Sequence, residues 1–457
     1  MPTTLSTRFL DHARANGLFP APGRALLAVS GGADSVAMLE LFTSVADELG
    51  LDLVVAHVDH GIAPNSSEVA RDVEQLAAGA GLPYHAARLE LGPSASETAA
   101  REARYAELRR MQREAGCLYL VTAHHLDDQA ETVLYRVMRG TGPAGLAAIR
   151  ACGPDGLVRP LLPFRREELA AWVAHRARET GQPLSIHSDP ANEDVRHDRS
   201  WLRNKVLPLL RQRWGTDLDE RLATLAGAAG REQEAWGALL RAVPGLLFRM
   251  RRGAAEVARD PLRRYDNALS EAILRALARE VGCALTPTRA GRLAEFIRSR
   301  QSGRVMELGG GFEAEVSFDR VRIASAAPRE AASAVSLGSP DHGSVQWGSW
   351  TFTWRTEPAE EATRESTETW VTDGTLTVRG VGQGDRLVPL GGVGRRKVRR
   401  LLMEARVPMT ERGAYPVLVR GTHVLWLPGV CRSRLDIPRA GAPALRIRAE
   451  QAGEDVE

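Results

Sequence analysis

The chain has 457 residues, 44% of them hydrophobic, which exceeds one ordinary core and supplies two or three. A formal net charge of +3 balances 60 Lys+Arg against 57 Asp+Glu, so any nucleic-acid footprint must be local. Cys117, Cys152, Cys283 and Cys431 form no CxxC pair, which excludes a zinc or iron–sulfur knuckle; no signal-peptide core and no run of 18 apolar residues is present, so a reducing cytoplasmic setting with no membrane is expected.

From residue 25 to about 150, apolar runs alternate with helical spacing. ALLAVS (25–30) reads as a strand, and VAMLELFTSVADELG (36–50) as a helix with Met38, Leu41, Phe42, Val45 and Leu49 at helical intervals. The strand LDLVVAHV (51–58) and the helix SSEVARDVEQLAAGAG (66–81) follow. YHAARLEL (84–91), SETAAREARYAELRRMQREAG (96–116), CLYLVTAHH (117–125) and LDDQAETVLYRVMRG (126–140) continue the alternation. It predicts an α/β fold, a doubly wound parallel sheet with helices on both faces. Ligands of such sheets bind at the carboxyl ends of the strands, where SGGADS, DHG and HHLDDQAET all fall.

RPLLPF (159–164), a helix and a polar stretch (187–210) come next. Residues 215 to about 325 are mainly helical by pattern, with a strand-like end, RVMELGGGFEAEVSFDRVRIA (304–324). An Ala-, Ser- and Pro-rich stretch (323–344) reads as a linker, and short strands such as WTFTW, TLTVRGV, YPVLVRG and HVLWLPG follow. The expected domains are a catalytic one at 1–215, a mainly helical one at 216–330 and a small α+β one at 345–457. In GGVGRRKVRRLLMEARVPMTER (391–412), seven Arg/Lys stand against two Glu. Arg395, Arg396, Lys397, Arg399 and Arg400 read as a polybasic helix beside a glycine loop, suited to phosphates along an RNA stem.

The loop SGGADS carries the first chemical signal. A strand entering a helix through two glycines aims backbone N–H groups and the positive end of the helix dipole at one spot. Gly31 and Gly32 let a phosphate approach; Ser30 and Ser35 offer hydroxyls, and Ala33 opens the helix. A carboxylate, Asp34, suits that place if Mg²⁺ bridges it to the phosphates. The loop is neither a Walker A nor a GxGxxG motif.

SGGADS resembles the pyrophosphate loop of the N-type ATP pyrophosphatases. Residues 56–77, 122–149, 188–210 and 378–429 are similar to conserved blocks of one branch, the tRNA(Ile)-lysidine synthetase family. His197–Trp201, ahead of Leu202-Arg203-Asn204, depart from the third block. The resemblance implies ATP and Mg²⁺, a tRNA(Ile) with a CAU anticodon and free L-lysine as partners, and a monomer or homodimer. It implies that ATP adenylates the C2 oxygen of the anticodon cytidine and that the lysine ε-amine then displaces AMP. The middle and C-terminal domains are expected to bind tRNA. His57, Asp59 and His60 are expected near the nucleotide. Asp127, Asp128 and Glu131 share one helical face and suit the grip and deprotonation of lysine. Arg104 with Arg101, Arg139 and Arg203 are candidates for the charge of the departing pyrophosphate. A metal site from His124, His125 and Asp128 is the alternative use of that turn. Thiolation is disfavoured because no cysteines are paired, and an asparagine-synthetase-like amidotransferase because Pro2 and Thr3 follow Met1. A non-catalytic ATP-dependent RNA binder is the reading from another class.

Overall fold

The computed structural model describes residues 4–59, 66–89, 97–181, 185–187, 198–251, 253–326, 332–337 and 342–451. His60 and residues 188–197 lie outside the described residues. The chain divides into two compact units, Met1–Gln233 and Glu234–Glu457.

The first unit is built on a parallel sheet. Its strands are β1 (Gly23–Ala28), β2 (Leu51–Asp59), β3 (Tyr84–Arg88), β4 (Tyr119–Val121) and β5 (Leu157–Val158), in the order β3-β2-β1-β4-β5. All four pairings are parallel. The central strands are apolar on both faces because both are covered. Ala25, Leu27, Leu53, Val55 and Val121 face α1 (Leu5–Ala15), α2 (Ala33–Leu49), α3 (Ser66–Gly79) and, further along the chain, residues Leu169 and Val173. Leu26, Val54, Ala56 and Leu120 face Leu108 and Met111 of α4 (Glu97–Glu114). The strand order reverses at β1, so a crevice opens between the loops after β1 and β4. Helices α5 (Leu126–Met138), α6 (Pro143–Leu146), α7 (Arg166–Thr180), α8 (Asp198–Trp201), α9 (Leu207–Trp214) and α10 (Leu218–Ala242) complete the layer. A π-helical turn, Leu202–Val206, joins α8 to α9.

In the second unit, β6 (Arg249–Arg251), β7 (Ala254–Ala258), β8 (Arg304–Gly309), β9 (Phe312–Ser317) and β10 (Arg320–Ser325) form an antiparallel sheet ordered β6-β7-β10-β9-β8. It packs on α11 (Arg259–Arg264), α12 (Asn267–Glu280) and α13 (Pro287–Ser299). The expected strand-like end is three strands of this sheet. β6 and β7 add two more, too short to display a two-residue period. Strands β11 (Val335–Leu337), β12 (His342–Trp347), β13 (Trp350–Pro358), β14 (Glu368–Val371), β15 (Leu376–Gly380), β16 (Arg386–Leu387) and β17 (Arg396–Lys397) precede α14 (Val398–Glu404). Strands β18 (Pro416–Arg420), β19 (His423–Leu427), β20 (Cys431–Arg432) and β21 (Pro443–Gln451) close the chain. They form sheets β11-β15-β18-β19-β20 and β12-β13-β21-β14 and a β16-β17 pair. Part of the expected linker is therefore strand: β11 pairs with β15, and β12 begins at His342.

A buried polar joint ties the two halves of this second unit. Arg322 of β10, 3% exposed, meets Glu411 at 2.8 Å and Glu256 at 3.6 Å. Glu315 of β9 accepts the backbone N–H of Met409 at 2.7 Å and the Thr410 hydroxyl at 2.7 Å. No helix among the described residues is long and apolar enough to cross a membrane. All four cysteines are unpaired.

Candidate active site

The loop after β1 is held open by its own side chains. Ser35 Oγ donates to the Gly32 carbonyl at 2.8 Å and accepts the Ser30 N–H at 3.1 Å. Its hydroxyl lies 3.2 Å from Ser30 Oγ. Gly31 has φ +84°, and a Cβ there would stand 2.6 Å from Val69 Cγ1, so conformation and space both demand glycine. Gly32 is the N-cap of α2, Ala33 its first residue, and Asp34 lies in its first turn.

Strand β4 carries the facing loop. His124 and His125 follow it in extended backbone, where successive side chains point to opposite sides. They enter opposite surroundings. His125 Nε2 lies 3.4 Å from Asp34 and 3.5 Å from Asp128, and its Nδ1 lies 3.5 Å from Asp127. Burial works against its charge, but these three carboxylates outweigh it and push the imidazolium up to about 10. His124 bonds Thr122 Oγ1 at 3.0 Å; burial, then Arg159, Arg101 and Arg104, hold it well below the usual histidine range. The two histidines thus face different partners. No group of three metal-ligating side chains occurs among the described residues.

The acidic turn is wired into neighbouring helices. Glu131, 5% exposed, accepts from Arg203 Nε at 2.9 Å, and the Arg203 Nη2 lies 3.4 Å from Asp128. Burial raises the Glu131 pKa; Arg203 opposes it and Asp128 adds to it. Asp128 also accepts the His125 backbone N–H at 3.1 Å, closing the first turn of α5. Asp127 receives the Arg166 backbone N–H at 2.9 Å and Arg211 Nη2 at 2.8 Å. Burial raises its pKa, but His125, the Arg166 N–H and Arg211 together hold it well below the usual carboxylate range. These contacts make Asp127 a joint between α5, α7 and α9. The burial of Asp34 is likewise outweighed by His125, Arg166 and Arg203, which keep it ionised.

His57 sits 4% exposed at the end of β2 and donates from Nδ1 to the Val29 carbonyl at 2.8 Å. Burial keeps it neutral. Its side chain braces the strand that carries the loop. Asp59 lies 3.7 Å from Arg88. Arg101 and Arg104 stack beside Tyr105, at 5.4 Å and 5.9 Å from the ring centre. Arg139 stands at the end of α5, 3.8 Å from Asp198.

The basic stretch differs from the expected helix. Only Arg399 and Arg400 lie on α14; Arg396 and Lys397 form β17, paired with Leu387 and Arg386, and Arg395 precedes it. Arg396 and Arg400 both meet Glu404, while Arg395, Lys397 and Arg399 are exposed. Sequence reasoning did not single out Arg166, Arg211 or the part of His125. Arginine is too frequent here for any one to stand out, and His125 was visible only as half of a His-His pair.

A parallel sheet with this loop at its reversal point defines a nucleotide-handling α/β domain. Residues 4–210 match the PP-loop domain model, and residues 376–449 match the TilS substrate C-terminal domain. A tRNA(Ile)-lysidine synthase of Symbiobacterium thermophilum is 30% identical over 99% of this chain and all of its own length. Those of Geobacter sulfurreducens (31%, 94% of each chain) and Alkalilimnicola ehrlichii (32%, 96% of each) are similar. The chain belongs to the tRNA(Ile)-lysidine synthase family. Among solved structures, a TilS C-terminal domain is 18% identical over 26% of this chain and 99% of its own, at a TM-score of 0.24; the assignment does not rest on it.

Proposed function

We propose that the protein uses ATP to join lysine to C2 of the wobble cytidine in a tRNA(Ile) with a CAU anticodon, giving lysidine, AMP and pyrophosphate. The membership of its family over the full chain and the open, glycine-built loop facing a buried carboxylate cluster support this reading together. In the first step the cytidine O2 attacks the α-phosphorus and the bond to the β-phosphate breaks. In the second, the lysine ε-nitrogen attacks C2, the C2–O2 bond breaks, and AMP leaves with that oxygen.

The backbone N–H groups of Gly31 to Asp34 and the hydroxyls of Ser30 and Ser35 cradle the phosphates. Asp34 Oδ1 is buried without a hydrogen-bond partner and carries negative charge, which fits a divalent cation. Mg²⁺ held there supplies neutralisation of the phosphate charge. Arg104 and Arg203 add positive charge as it develops on the leaving groups. Arg203 also orients Glu131 and Asp128, which hold the lysine ammonium. Glu131, its pKa raised by burial, takes the proton that the nitrogen sheds. Asp127 keeps α5 in place. His57 and Asp59 stand at the adenosine side, with His57 as a brace. Arg395, Arg396, Lys397, Arg399 and Arg400 engage tRNA phosphates.

The test is incorporation of labelled lysine into a CAU transcript, with AMP release measured in parallel. Glu131→Gln should retain ATP binding and lose lysine transfer. Loss of ATP binding alone would move the acidic turn to the metal site.

A further inference from the structure

Helix α5 runs on from the carboxylates into a different surface. Along one face, Glu131 is followed by Tyr135 and then Arg139, each one turn or about 6 Å further. The α8–π segment lies antiparallel to this face. Arg203 meets Glu131, and four residues earlier Arg199 stands over Tyr135. The Arg139 and Arg199 guanidinium groups lie 4.8 Å and 5.3 Å from the Tyr135 ring centre. On the same short helix, Trp201 is 45% exposed, and Met138 beside Arg139 is 61% exposed. Arg136 is depressed by burial and then by the closeness of Arg199 and Arg101, so positive charge is concentrated here.

Trp201 and Met138 thus leave apolar surface exposed beside these arginines. Guanidinium groups placed over a phenol ring, with an exposed indole nearby, match an unpaired nucleotide, which brings a π-face and a phosphate together. We propose that Tyr135, Arg139, Arg199 and Trp201 form a stacking platform for the anticodon nucleotide next to the target cytidine. The proposal rests on the lysidine-forming reading and names the contact that sets the cytidine over Glu131. The π turn at Leu202–Val206 shifts the register so that one segment serves both carboxylate and platform.

The test is tRNA binding by the full chain, with Trp201→Ala, Trp201→Phe and Arg139→Ala, on a CAU transcript and on one made abasic beside the target cytidine. Trp201→Ala and Arg139→Ala should weaken binding of the intact transcript about tenfold, the loss of one stacked base. Trp201→Ala should leave the KM for ATP unchanged. Trp201→Phe should restore binding, which a collapsed fold would not. On the abasic transcript the variants should bind like the unaltered protein, because the stacked base is already gone. Unchanged binding of the intact transcript, or equal losses on both transcripts, would overturn the platform. Binding is read without turnover, so failure to form lysidine would count against the proposed reaction and not against this contact.

Discussion

At the residue scale, the centre turns on how a few charges are balanced. Asp34, Asp127, Asp128 and Glu131 meet His125, Arg166, Arg203 and Arg211 within a few ångströms. Replacing Asp34 with Asn should stop AMP formation while the fold persists, because the substitution keeps the side chain's shape and removes the charge that a divalent cation needs. Assay of AMP alongside circular dichroism checks this, and normal turnover would refute it. Glu131 has the opposite character. Its raised pKa predicts that lysine transfer falls on the acid side at a higher pH than an ordinary glutamate base would give, as the base becomes protonated. A single-turnover pH profile of the transfer step reads that limb. That Asp128 and Glu131 neighbour each other on one helical face was legible from their three-residue spacing. The engagement of Asp127 was not, since its partners Arg166 and Arg211 lie 39 and 84 positions away.

At the element scale, two turns hold the site. The loop after β1 depends on Gly31, where φ is +84°. Gly31→Ala should destabilise the fold by about 1–3 kcal/mol from backbone strain and abolish ATP binding. Adding Val69→Ala should relieve the clash and leave the strain, so the double variant should recover only part of the unfolding midpoint. The turn opening α5 depends on His125. Its folded pKa of about 10 exceeds the ordinary value of 6.5, so its contribution is complete below about 6.5 and is lost as pH rises through about 10. Thermal melts across that window should show an alkaline decline that His125→Gln removes, at a cost of about 3 kcal/mol for the carboxylates left without it. The parallel sheet was legible because its strands are long apolar runs bounded by amphipathic helices. Strands β6 and β7, with three and five residues, are defined by their partners rather than by any local period. The basic stretch was legible in composition, while its division between β17 and α14 was set by pairing with Arg386 and Leu387.

At the scale of the whole molecule, the carboxylate cluster lies in the first unit and the basic stretch at 395–400 in the second. Arg395, Lys397, Arg399 and Arg400 are exposed, whereas Arg396 is half-buried against Glu404. Changing all five basic residues to Gln should weaken tRNA binding and reduce its logarithmic salt slope by about 0.9 for each phosphate that is no longer neutralised. The exposed four should account for most of that change, and an unaltered slope would remove this stretch from the interface. The measurement that bears most directly on the central claim is transfer of labelled lysine. Protein, ATP, Mg²⁺ and lysine are incubated with a CAU transcript of tRNA(Ile) and with the same transcript carrying U at the wobble position. Label in the first RNA only, matched by AMP, is the predicted result. AMP without label, or label in both RNAs, would contradict the assignment of the acidic turn to lysine and of the loop to adenylating that cytidine.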